Sequence, residues 1–203
     1  MKKDKIYFLA GIFFLLLEIM VFIRNSGNYI NFFWVCNFVP VLFAIAFFAK
    51  KVHVVKALIN VVLIPDVFFL IDFFTSIFFH HGFLCPMQSY FQEGLLFIIV
   101  SVLLHVVAFI ALLFTYEIKP KIKTLIFSVC FIIIIYFITL IFSPSNLYYN
   151  YVHNSKPGCI SIGIPYKFIT ISWPIIMFAG VILLGQAIQY LIYRFHVRKR
   201  NKK

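Results

Sequence analysis

The sequence predicts an all-α polytopic membrane protein: one domain spanning residues 1–203, built as a bundle of six transmembrane helices with both termini in the cytoplasm. Two observations predict it. Of the 203 residues, 64% are apolar and only 12% are charged, whereas a soluble domain carries about 25% charged and about 45–50% apolar residues. The basic residues, moreover, are not spread out. They gather in short clusters between apolar runs, as topology signals do. The 28 phenylalanines could not all be buried in one small water-borne core; most must face lipid or neighbouring apolar helices.

A net charge of +12 also fits a nucleic-acid binder. Here the charge is confined to short gaps between apolar runs, and no soluble stretch remains to form a nucleic-acid face. The expected partner is the membrane lipid.

A helix needs about 20 apolar residues to cross a hydrocarbon core of about 30 Å. Six segments qualify, at about 6–23, 29–49, 54–78, 91–115, 122–142 and 170–193. The first follows Lys2, Lys3 and Lys5 like a signal peptide. Glu18 interrupts its apolar run and no small-residue cleavage pattern follows, so it reads as a span. The gap after the second span holds Lys50, Lys51 and Lys56; the gap after the fourth holds Lys119, Lys121 and Lys123. The last tail carries Arg194, Arg198, Lys199, Arg200, Lys202 and Lys203. With the first tail, these are 15 of the 18 Lys and Arg. Only Arg24, Lys156 and Lys167 fall in the alternate gaps, so both termini are expected on the cytoplasmic side of a cell membrane.

The outer gaps differ in kind. Residues 24–31 are short and polar, 79–90 are rich in His and aromatics, and 143–169 form the longest and most polar loop. Cys85 and Cys159 fall in two of them and can bridge if that side is oxidising; Cys36 and Cys130 fall within spans. No zinc-type Cys/His spacing, HExxH or GxSxG motif is present, and no cofactor is expected.

Ionisable groups inside a membrane cost about 2.5–3.5 kcal/mol each on insertion scales. Each is therefore a candidate functional residue. Asp66 lies near the middle of the third span and His105 near the middle of the fourth. Glu18, Asp72, Cys36 and Asn37 lie further out, and Glu93 stands at an outer mouth. The inner half holds Asn60, Gln186 and Gln189. This bias suggests a polar pocket opening outward, with Asp66 and His105 approaching each other. Pro65 and Pro40 remove backbone donors beside it, and broken backbone at membrane depth is tolerated where it lines a cavity. Asn37, Asn60, Gln186 and Gln189 read more simply as hydrogen-bonding glue between helices, although Asn37 is also placed to bind a ligand. In the long loop, Asn150, Tyr151 and His153 are candidates to contact a polar headgroup. Tyr there is explained by the interface alone.

FWVCNF (33–38), IPDVFFLIDF (64–73), LLHVVAFIALL (103–113) and NYVHNSKPG (150–158) occur in this order. The set resembles the YwaF-like bacterial integral membrane proteins and is distantly similar to the androgen-induced-gene type of six-span hydrolases and acyltransferases. The resemblance implies an intramembrane acyl hydrolase or acyltransferase with Cys36 as nucleophile, His105 as base and Asp66 orienting the imidazole. In the androgen-induced-gene branch the nucleophile is Thr. Two other readings stand beside it: a small transporter or ligand-binding membrane protein, supported by Asp66 and Asp72 on a Pro-broken helix, and a structural or assembly protein.

Overall fold

The structure, a computed structural model, describes residues 3–27, 34–79, 93–143, 150, 152 and 166–200. All the regular structure among them is helical. Five helical stretches are long and apolar enough to cross a membrane. This supports an all-helical membrane protein.

α1 (Lys3–Asn25) lays one stripe, Ala10, Phe14, Leu17 and Val21, against its neighbours and leaves Phe8, Leu16, Phe22 and Ile23 exposed. The 4-3-4 spacing keeps that stripe on one face. Its main partner is α2 (Val35–Phe48), where Phe43 and Phe47 stack on Phe14 with ring centroids 4.9 and 5.5 Å apart. At 14 residues α2 rises about 21 Å at 1.5 Å per residue. It is shorter than the expected 29–49 span, whose first residues lie outside the described ones.

α3 (Val52–Phe79) is the central helix. It packs on α2, on α5 (Val107–Thr115), on α6 (Ile122–Phe142) and on α8 (Leu183–Arg200). Of its apolar stretch 56% is buried, against 17% for the last helix, so most of the bundle's side-chain chemistry is arranged around it. Its low helical periodicity in sequence follows from this, because a helix surrounded by other helices is apolar on every side.

The apolar stretch Leu95–Thr115 is not one regular helix. α4 (Leu95–Leu104) ends at His105, and α5 starts two residues later. The last stretch is interrupted too: α7 (Tyr166–Met177) contains Pro174 and leads into a π-helical turn, Phe178–Ile182, before α8. Pro174 cannot donate to the carbonyl four residues earlier, and a π turn is one way a helix absorbs such a defect.

The helices alternate in direction along the chain, the pairs α4–α5 and α7–α8 each counting as one stretch. Asp4 pairs with Lys50 at 2.8 Å and Glu117 with His196 at 3.8 Å. These contacts bring the start of α1, the end of α2, the end of α5 and the end of α8 to one end of the bundle, called here the terminal end. The lysines of both short connections lie there as well. Lys56 is an exception to the expectation that it belongs to a gap: it is fully buried, five residues into α3.

Candidate functional site

The break at His105 has no proline or glycine to explain it. His105 and Val106 sit at φ −94°, ψ 9° and φ −110°, ψ 0°, the sparsely populated region between helix and strand. The His105 amide is shared between the Ser101 and Val102 carbonyls, and the Val106 amide bonds back to Leu103. These three-residue bonds tighten the end of α4. The His105 ring reinforces the stop, because its Nδ1 hydrogen-bonds the Ser101 carbonyl at 2.7 Å. With Nδ1 donating to that carbonyl, Nε2 is the ring's free acceptor.

α3 grips both sides of this break. Its Phe69 stacks on the His105 ring, with centroids 3.5 Å apart and planes 9° off parallel. Three residues earlier, the Asp66 carboxyl lies near the Ala108 amide. Ala108 lies in the first turn of α5, where amides lack partners within the helix. Asp66 thus faces the start of a half-helix that begins in the middle of the bundle, where a carboxylate meets the positive end of the helix dipole. Its other oxygen, Oδ2, is buried and has no hydrogen-bond partner among the described residues.

Above this level, towards the end away from the termini, Arg24 ties three helices together. Its guanidinium donates to Asn37 Oδ1 at 2.6 Å, to Ser101 Oγ at 3.2 Å and to Asn25 Oδ1 at 3.3 Å, and it lies over the Phe97 ring at 5.0 Å. Cys36 is half-buried, its Sγ 3.8 Å from Asn37 Oδ1, and it lies within electrostatic range of Arg24 and Asp66. Asp72 is buried six residues beyond Asp66, and Glu18 is half-buried on α1. Four buried polar atoms here lack partners among the described residues: Glu18 Oε2, Asn25 Nδ2, Asp66 Oδ2 and Ser76 Oγ. All four lie at the middle of the bundle or in its distal half.

Asp66 and His105 flank one break, but no hydrogen bond or ion pair joins them. The imidazole is oriented by the Ser101 carbonyl, and the Asp66 carboxyl faces the Ala108 amide. Cys36 bonds to neither. The three residues share a region without forming a hydrogen-bonded chain.

Asn150 is committed elsewhere. It adopts a left-handed backbone, φ 47°. Its Oδ1 accepts from the Val35 amide at 2.9 Å, its Nδ2 donates to Thr139 at 2.8 Å, and its carbonyl accepts from Trp173 Nε1 at 2.9 Å. It caps α2 and clamps that helix to α6 and α7. Tyr151, His153, Cys85 and Cys159 lie outside the described residues, so their expected roles and the expected disulfide find no geometry here. Cys130 is exposed on α6, and Glu93 is exposed before α4. Among the described residues no group of His, Cys, Asp and Glu is arranged to hold a metal.

A second polar cluster occupies the terminal half, and it is closed. Asn60 donates to Ser128 at 3.0 Å and to Gln186 at 2.8 Å, and accepts from Gln189. Gln189 also donates to the Lys56 carbonyl at 2.9 Å and accepts from Lys56 Nζ at 3.2 Å. Ser128 bonds the Ala57 and Thr124 carbonyls, and His53 bonds Thr124 Oγ1 at 3.0 Å. Gly185 lets α8 come this close: a Cβ there would lie 2.9 Å from Asn60 Cα.

Sequence reasoning missed Arg24, Asn25, Ser76 and Ser101. A signal for Arg24 was present, since it is one of only three cations on the side where cations are rare. An open groove between α6 and the π turn is lined by Val129, Ile132, Pro174 and Phe178, and none of the polar cluster lines it. No protein-family model, curated protein or solved structure matches the chain.

Proposed function

We propose that this is a six-pass membrane protein with both termini cytoplasmic, and that its distal polar cluster is the binding site of a small transporter or ligand-binding membrane protein. The short α2 counts as the second pass because the chain must return to the terminal end before α3 leaves it again. The clustering of cations at that end supports the orientation.

One observation carries the functional reading. Asp66 is buried at membrane depth, faces the start of a half-helix, and has an oxygen with no partner among the described residues. Interrupted helices whose ends meet buried polar groups are the usual construction of intramembrane substrate and ion sites, and an ionisable group there without such a role would be an uncompensated cost. Arg24 supplies fixed positive charge to the same region.

Thermal unfolding of the full chain in detergent, with sodium ion, ethylamine, amino acids and phosphate monoesters each added, tests the reading. One class should raise Tm in the wild type and fail to do so in Asp66→Asn. If none shifts the wild type, the cluster is helix glue.

A second reading, a lipid acyl hydrolase or acyltransferase, rests on His105, whose tethered Nδ1 leaves Nε2 as the ring's acceptor, and on the half-buried Cys36 thiol, which shares the neighbour Arg24 with it. Lipid turnover that persists unchanged in Cys36→Ala and His105→Ala would exclude it.

A further inference from the structure

At the terminal end, two cations converge on one ring. Lys119 Nζ lies 5.8 Å and the Arg194 guanidinium 5.9 Å from the centroid of Tyr190. Both distances are within the range at which a cation is attracted to an aromatic face. Gln186, Tyr190, Arg194 and Arg198 recur every four residues along α8, which places them on one face of the helix. The α5–α6 connection lies against that face, since Gln186 Nε2 donates to the Lys121 carbonyl at 3.4 Å. Glu117, the acid nearest in sequence, pairs with His196.

The tendency of cations to collect on one side of the membrane explains how many there are at this end. It does not explain why two of them, both exposed, are held around one aromatic ring rather than dispersed. Just beside the strip, Ile122 and Leu191 are large, apolar and exposed, so the basic strip borders a surface suited to acyl chains. A phosphate with two hydrocarbon tails matches both parts.

We propose that Lys119 and Arg194, arranged around Tyr190, form a binding site for the headgroup phosphate of an anionic phospholipid, with its acyl chains along Leu191 and Ile122, on the bilayer side of the two cations. Basic clusters between helices at this depth recognise anionic headgroups through charge-assisted hydrogen bonds. The site is separate from the Asp66 region and does not depend on what binds there.

Native mass spectrometry of the delipidated full chain in detergent provides the test, with phosphatidylglycerol, phosphatidylcholine and soluble glycerol phosphate as probes. Phosphatidylglycerol should be retained in preference to phosphatidylcholine. The double variant Lys119→Gln/Arg194→Gln should weaken it by on the order of tenfold. The variant Lys5→Gln/Lys51→Gln, which removes the same charge from the same end, should leave it unchanged. Unfolding curves of both variants establish that each is folded. The proposal is overturned if the two phospholipids bind equally, if both double variants weaken binding to the same extent, or if glycerol phosphate binds as tightly as the lipid.

Discussion

The two polar clusters on α3 are built from similar residue types and differ in completeness. Around Asn60, every side-chain polar atom of Asn60, Gln186 and Gln189 has a partner. In the distal half, from Asp66 outward, four buried polar atoms have none among the described residues. Closing a network in a low-dielectric interior rigidifies it, whereas leaving a buried polar group open costs free energy. The terminal-half cluster therefore holds helices together, while the distal one retains a capacity for hydrogen bonding that the described residues do not use. Natural proteins break the rule of polar satisfaction chiefly at functional sites.

Substitutions can break or sharpen this contrast. The largest effect is expected at Gly185. Gly185→Ala places a methyl 2.9 Å from Asn60 Cα, and because that neighbour is backbone, α8 must move away from α3. A loss of about 1–3 kcal/mol is expected, read as a lower unfolding midpoint in mixed micelles. Asn150→Ala comes next. It removes the cap of α2 and the bond to Thr139, at a cost of about 1–2 kcal/mol, and it should leave any ligand response at Asp66 in place; loss of that response would return Asn150 to the binding residues. The smallest effect belongs to Lys56→Met, which exchanges a fully buried amine for an apolar side chain of similar length. Replacing buried charge with well-packed apolar groups is often neutral, so a change within about 1 kcal/mol is expected, offset in part by the Gln189 oxygen it leaves open.

Much of the architecture was legible in the sequence because lipid imposes simple demands. The span at 122–142 coincides with α6, and the first and third lie within α1 and α3. The placement of four of the six acids, Glu18, Asp66, Asp72 and Glu93, at or beyond the middle of the bundle was legible from depth alone. The break at His105 was not. No local breaker marks it, and the Ala108 amide just past it faces Asp66 on another helix, so the cause is non-local. The burial of Lys56 was hidden for a related reason: an interfacial lysine and a buried one look alike until Gln189, 133 residues away, supplies the partner. Asn150 looked like a ligand contact because a polar residue in a loop gives no sign of which backbone amide it will cap. The surroundings of Cys36 come from three helices, with Arg24 on α1, Asn37 on α2 and Asp66 on α3, and no spacing within one helix encodes that.

The most direct test compares Asp66→Ala with Asn60→Ala in one unfolding experiment on the full chain in mixed micelles. Asn60→Ala leaves groups on Gln186 and Gln189 without partners and should cost about 1–3 kcal/mol. Asp66→Ala gives up a carboxylate at one helix start but also removes a buried open acceptor, and it should remain within about 1 kcal/mol of wild type. If Asp66→Ala proves as destabilising as Asn60→Ala, the distal cluster is a structural clamp like its counterpart, and the proposed division between the two halves fails.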